Sequence, residues 1–565
     1  MGDGADRERG GVVRAADSES VPPSGRRAFF KWTGGAIAAL GGSTFDGSPR
    51  GVRLLRSARA EVLAPDGVEK RRNNAYRLRV DAAVAQKNAR VLTQTTNGDE
   101  EAFANAIASF TKALPHDDLG HVDRGAYDML RAALSSGKPE DFERVPMGGT
   151  AKLASPQSAY AYSLDGADAH ALTMRPPPTF RSAQMAADMV ELYWQALARD
   201  VPFDQYATNA RIADAADDLS RLSAFTGPKA GGRVTPSTVF RGQAAGDLVG
   251  PYVSQFLYLD TPHGAGAFIH RYRVPLAGDD HMKTVASWLS IQRGGAPGSN
   301  ALDPTLRYIR TGRDLGEFVH RDFSVQAYLN ACLYLLKAGP NAFHPSNPYL
   351  ASRTQRQNVT FGEKHILDMM CRMAFAAEKA SWYQKWLVHR RLRPEAYGGR
   401  VHQHLSGAAS YPLPAELLSS SALAEVYREN GTYLLPMAYP EGSPTHPSYP
   451  AAHAATAAAC VTALKAFFNP DFVIPQPVVP SPDGLSLVRY SGPSLTVQNE
   501  LDKLAANVAL GRDFAGVHYR SDSIEGMRLG EDVALSLLRE WRVTVNEPVP
   551  PVTIVRFDGT RATIG

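Results

Sequence analysis

Apolar residues recur along most of this chain at three- and four-residue intervals, the period of a helix with one buried face. The pattern begins near residue 72. Residues 75–92, "AYRLRVDAAVAQKNARVL", predict one helix. Residues 181–200, "RSAQMAADMVELYWQALARD", predict another, with Met185, Met189, Val190, Tyr193, Trp194 and Leu197 as its core stripe. Further helices are predicted over 322–339, where Gly339-Pro340 ends the run, and over 363–390, 451–468, 499–510 and 530–541. Strand signals are few and short: 250–259, 268–276 and 552–559. Loops rich in proline and glycine at 224–236, 294–304 and 468–494 separate the helices. No repeat with a period of about 20–50 residues is present. The pattern predicts an all-α fold: one large helical domain over residues 70–545 with bundle packing, then a C-terminal tail, 546–565.

Charge and composition narrow the function. The 565 residues hold 61 Lys+Arg against 57 Asp+Glu, a formal charge of +4. So small an excess argues against a nucleic-acid partner, which selects for a strongly basic face. No apolar run reaches the roughly 18–20 residues of a spanning helix, so no integral membrane segment is expected. Cys332, Cys371 and Cys460 are far apart, odd in number and set in apolar stretches. They read as free buried thiols, neither a disulfide framework nor a zinc site. Residues 1–60 stand apart. Their polar, Gly-rich start predicts disorder. Arg26-Arg27, followed by Phe29, Phe30, Lys31 and a Gly/Ala-rich run, reads as a twin-arginine export signal, which implies a periplasmic or secreted protein.

Three C-terminal segments concentrate the candidate chemistry. In "SWYQKWLVHRRLRPEAYGG", 381–399, Lys385 and Arg393 are eight residues apart. That is a little over two helical turns, so both side chains can lean to one side, and Pro394 is expected to end the helix at Arg393. In "PEGSPTHPSYPAAHAATAAAC", 440–460, Pro444, Pro447 and Pro450 hold an extended loop, and His453 falls in the first turn of an Ala-rich helix. Helix N-termini bind anions. In "ALGRDFAGVHYRSDSIEG", 509–526, Arg512 and His518 flank a turn at Gly516, and Asp522 follows His518 by four. A carboxylate at that spacing can orient one ring nitrogen and leave the other free as ligand or nucleophile. Each segment alone also fits a solvated basic face or a capping histidine. Together, one Lys, two Arg and two His match the needs of a tetrahedral or trigonal-bipyramidal oxyanion.

The order Lys…Arg-Pro, Pro-x-x-His at a helix start, then Arg…His-x-x-x-Asp resembles the superfamily of vanadium haloperoxidases and type-2 phosphatidic-acid/acid phosphatases. The eight-residue Lys385–Arg393 spacing, Trp382 three before the lysine, and His446 seven before His453 are most similar to the algal-type bromoperoxidases and their bacterial relatives. The segment "TNGDEEAFANAIASFTKALPHDDLG" resembles a block of the bacterial members. The resemblance implies two four-helix bundles with the site, within 382–522, between them. It implies vanadate, vanadium(V), bonded by His518 and held by Lys385, Arg393, Arg512 and the N–H of Ala452. His453 would manage protons, Lys385 would polarise the bound peroxide, and Trp382, His446 and Asp522 would surround these groups. The substrates would be hydrogen peroxide, a halide and a small organic acceptor, and the assembly a homodimer.

One departure stands out. The family's Ser-Gly-His is here Ala451-Ala452-His453. The lost hydroxyl removes a hydrogen bond to a charged group, worth roughly 1.5–3 kcal/mol, or about one to two powers of ten in affinity. The Ala452 methyl also narrows the approach of peroxide or halide. The expectation is a haloperoxidase that oxidises bromide or iodide more readily than chloride, with reduced activity. Two alternatives use the same residues: an acid phosphatase with His518 as nucleophile and His453 as proton donor, and a non-catalytic oxyanion-binding member.

Overall fold

Alanine and glycine set a very close helix contact. In the computed structural model, which describes residues 67–565, the Ala452–Phe467 helix is buried on nearly every side. A Cβ added at Gly526 would lie 2.6 Å from the Ala451 carbonyl oxygen, and one at Gly530 would lie 1.9 Å from that of Ala455. The Arg520–Trp541 helix therefore lies almost backbone to backbone on the Ala-rich helix. The Glu363–Tyr383 and Val497–Phe514 helices complete a four-helix bundle around it. Earlier in the chain, the Ala183–Ala198 helix packs on Ala210–Arg221 and Ser421–Asn430. Its predicted stripe is buried, but so are Asp188 and Glu191, which pair with Arg391 and Arg520. The helix is buried all round, a position that amphipathic periodicity does not capture. Val68–Gly565 forms one compact unit. The expected disorder and export signal of 1–60 lie outside the described residues.

The fold class is all-α, as expected, with three short antiparallel hairpins among the described residues. Strand predictions fared unevenly. Residues 250–259 carry a 3-10 turn at Gln255–Leu257 and no strand, because Ser254 and Gln255 bond to Glu500 and Asn507 of the Val497–Phe514 helix. In 268–276 the backbone makes isolated bridges at Tyr272 and Pro275. The 552–559 signal is a true strand, Val552–Val555, paired with Arg561–Ile564. That hairpin is no loose tail: Val552, Ile554, Phe557 and Ile564 are buried, and Arg556 pairs with Glu531. The 468–494 loop likewise holds a small hairpin, Val478–Pro480 with Leu487–Arg489.

Cys332 and Cys460 are buried free thiols, but Cys371 is exposed on the outer face of its helix, one turn before the exposed Phe375. The apolar run around it covers both faces of the helix. Among the described residues, no helix is long and apolar enough to cross a membrane.

Candidate oxyanion site

The 363–390 run breaks where the site begins. Its α-helix ends at Tyr383, Gln384–His389 winds as a π-helix, and Arg390 turns left-handed at φ 39°. The expectation of two continuous turns between Lys385 and Arg393 is thus wrong. Wide turns carry Lys385 inward, with Trp386 fully buried against Phe110 and Leu114. Arg393 is extended, as a residue before proline favours, but Pro394 opens the next helix, Pro394–Leu405, instead of closing the last. Nor is the basic run a solvated face. Arg390 pairs with Glu100, and Arg391 is buried.

The five basic and imidazole groups do converge. Lys385 is fully buried, and its Nζ donates to the carbonyls of Pro447 and Ser448 at 2.8 and 2.9 Å, leaving one of three protons free. Arg393, also buried, donates from Nε to the His446 carbonyl at 2.9 Å, and from Nη1 to the Val517 carbonyl at 2.7 Å and to His518 Nε2 at 3.1 Å. Its Nη2 reaches His446 Nδ1 at 3.0 Å. Trp382 packs on the His446 ring at 4.8 Å. Arg512 donates from Nη1 to the Val319 carbonyl at 2.9 Å, and its buried Nε–H has no acceptor.

His518 Nδ1 lies 3.0 Å from Asp522 Oδ2. Asp522 is held in turn by Arg391 Nη1 at 2.6 Å, by the Tyr519 N–H at 3.2 Å and by the Ser448 hydroxyl. With the Nδ1 proton on Asp522, the Nε2 lone pair of His518 faces the cations. His453 sits at the start of the Ala-rich helix, a third of its side chain exposed, with Nε2 3.3 Å from Asp322 Oδ1. Ala451 caps that helix with a methyl group, φ −69°, and no side chain bonds the first-turn N–H groups. Ala452, the first helical residue, has no positive φ to resist its methyl group.

The electrostatics point one way. Burial, then Arg393 and Arg512, pushes the Lys385 ammonium well below its usual range. Burial, with Arg512 adding to it, brings Arg393 down to about 9. Burial, Arg393 and Lys385 hold His518 well below 6.5, and burial, Lys385 and Arg393 do the same for His446. Three cations with unused donors face a carboxylate that is already fully bonded. An oxyanion supplies what they lack: negative charge, acceptors for Lys385 and for the orphaned Arg512 Nε–H, and a central atom for His518 Nε2. The residues fit vanadate.

Several supporting groups carried no signal in the sequence. Arg391 lies between Asp522 and Asp188, and burial raises Asp188 to about 6. Lys112, in the N-terminal block, is buried against Glu395 at 2.6 Å and takes the Glu441 and Ser443 carbonyls, pinning the proline-rich loop. Asp322, before a helix distant in sequence, meets His453 only through the fold.

Comparison with known proteins agrees with this geometry. A family model described as the VCPO second helical-bundle domain matches residues 372–547. The vanadium-dependent bromoperoxidase of Ascophyllum nodosum is 36% identical, over 86% of this chain and 90% of its own length. That of Corallina pilulifera is 34% identical, over 88% and 98%. The solved homohexameric structure of the second vanadate-dependent bromoperoxidase from Ascophyllum nodosum superposes with a TM-score of 0.86 at 30% identity, covering 92% of this chain and 94% of that one. This chain belongs to the vanadium-dependent haloperoxidase family.

Proposed function

We propose that the buried pocket of Lys385, Arg393, Arg512 and His518 binds vanadate, and that the chain oxidises bromide or iodide with hydrogen peroxide to hypohalite, which halogenates small organic acceptors. The observation that carries the reading is His518 Nε2, set by the Asp522 contact at Nδ1 to face three buried cations with donors to spare. His518 Nε2 would bond the metal. Lys385, Arg393, Arg512 and the Ala452 N–H would hold its oxygens. Bound vanadate supplies a Lewis-acidic centre that activates peroxide without changing its own oxidation state.

The chain's own groups do the rest. Asp522 fixes the His518 tautomer, and Arg391 holds Asp522 in place. Lys385, held well below its usual range by burial, would offer its remaining N–H to an oxygen of the bound group. His453, partly exposed and oriented by Asp322, moves protons between the pocket and water. Trp382 and His446 close the Lys385 side against solvent.

Export by the twin-arginine route to the periplasm or medium is proposed on Arg26-Arg27 and the apolar run after them. Self-association is proposed as well, on the exposed Tyr162, Leu164 and Phe375, which lie together where Lys379 donates to the Tyr162 carbonyl and covers the Phe375 ring. The resemblance implies a dimer, whereas the similar solved structure is a homohexamer. Light scattering of the purified chain decides between them.

The function is tested by bromination of a dye with peroxide and bromide, with and without orthovanadate. Vanadate-dependent turnover that His518→Ala abolishes is the expected result. No turnover, even after Ala451→Ser with Ala452→Gly, together with hydrolysis of a phosphomonoester, would replace the reading with the phosphatase one.

A further inference from the structure

Two separate pieces of chain hold the pocket's cations and His453. The Gly312–Arg321 helix offers the Val319 carbonyl to Arg512 and runs directly into Asp322, the partner of His453. The 440–450 loop offers the carbonyls of His446, Pro447 and Ser448 to Arg393 and Lys385. His320 lies between these pieces. Its Nδ1 is 3.0 Å from Glu317 Oε2 on its own helix, and its Nε2 is 2.5 Å from Glu441 Oε1 in the loop. The His320 ring stacks on Tyr439 at 3.8 Å with the planes 9° apart. Tyr439 in turn donates to the Gly316 carbonyl at 2.5 Å, and the Arg512 guanidinium lies 5.4 Å from its ring centre. A neutral imidazole has one N–H and can serve only one of two carboxylates, whereas the imidazolium serves both.

We propose that His320 is a positioning residue for the vanadate-dependent reaction: a charged clamp that ties Glu441 of the loop to Glu317 of the helix, seating Tyr439 against Arg512 and Asp322 against His453. The groups that face the ring set its charge. Glu317 is buried and also bonded by Arg321 Nε at 3.1 Å. Glu441 is partly exposed, with its backbone carbonyl on Lys112. Arg512 stands beyond Tyr439. Burial opposes charge on the ring, but the hydrogen bonds to Glu317 and Glu441 outweigh it and place the His320 pKa above the usual 6.5. A raised histidine pKa means that the clamp is complete at low pH and is lost as pH rises through the raised value.

The proposal rests on the assignment of Arg512 and His453 to the vanadate pocket. The test measures bromide kcat and vanadate Kd of the full chain from acidic to alkaline pH for wild type, Glu441→Gln and His320→Gln, with NMR titration of the His320 ring. Glu441→Gln removes one charged acceptor, and its alkaline limb is expected to move down by about one unit together with the ring's titration. His320→Gln, which cannot titrate, is expected to lower turnover several-fold at low pH and to flatten the limb. Glu441 is partly exposed, so Glu441→Gln keeps the test alive if His320→Gln fails to fold. An alkaline limb identical in Glu441→Gln and wild type overturns the clamp, as does a His320→Gln profile that is scaled down without changing shape. If wild type shows no vanadate-dependent turnover, the functional reading fails. The NMR titration still decides the clamp, because a ring neutral at low pH contradicts it whatever the reaction.

Discussion

Ala451 stands where the resemblance places a serine. It ends the proline loop, its methyl is fully buried, and the helix it caps starts without a side-chain hydrogen bond. A bound anion would be left with cations, His518 and backbone N–H groups. Ala451→Ser would restore a hydroxyl where the first turn is open. Vanadate affinity is expected to rise about ten- to a hundredfold by calorimetry, the size of one hydrogen bond to a charged group. An unchanged Kd would show that the pocket does not need the hydroxyl. At this scale the sequence was readable where a residue type carries chemistry by itself. Lys385, Arg393, His453, Arg512, His518 and Asp522 stood out by spacing. Arg391 did not, because an arginine in a basic run looks the same whether it faces water or lies between Asp188 and Asp522. His320 and Asp322 did not either, because their partners, Glu441 and His453, are over a hundred residues away.

Helix existence was legible at the level of elements, and helix interruption was not. The 363–390 pattern is continuous in apolar period, yet the chain unwinds at Gln384 to turn Lys385 inward and leaves both ring nitrogens of His389 without partners. A π-helix changes the number of residues per turn without leaving a mark in composition. The close contact of the Ala452–Phe467 and Arg520–Trp541 helices was half legible: the alanines were visible, but the glycines that face them were not paired with them. Gly530→Ala tests how far the site depends on that contact. Its Cβ would meet the Ala455 carbonyl oxygen at 1.9 Å, so the helices must separate. Overpacking of this kind costs about 1–3 kcal/mol. Because Asp522 lies two turns earlier on the same helix, vanadate affinity is expected to fall along with denaturation stability. A variant as stable as wild type would mean that the helices part freely.

For the whole molecule, two terms decide stability outside the pocket. One is the C-terminal hairpin. Truncation after Glu547 strips four buried side chains, Val552, Ile554, Phe557 and Ile564, and is expected to cost roughly 6–12 kcal/mol in urea denaturation. A truncated chain with wild-type stability would make the segment the tail that its sequence suggested. The other term is a set of histidines kept neutral by burial. His116, His270 and His365 are held at about 4, and His389, by burial and then by Arg390 and Arg391, at about 3. Each folded value lies below the unfolded one. As pH falls, the unfolded chain therefore takes the proton first, and stability present above about pH 6.5 is lost toward pH 4. Asp188 and Asp247, raised by burial to about 6, act in the opposite sense as pH falls below 6. Burial raises Asp99, Asp314, Asp513, Glu525, Glu531 and Asp532 as well, so the histidine contribution is read one residue at a time. His389 offers the cleanest test, since neither of its nitrogens is hydrogen-bonded and its ring meets Tyr449 edge-on at 4.8 Å. Phenylalanine there removes a titrating group and no hydrogen bond. His389→Phe is expected to match wild type in Tm at neutral pH and to lose less on acidification. An equal acid slope in both proteins would show that His389 is not protonated on unfolding in that range.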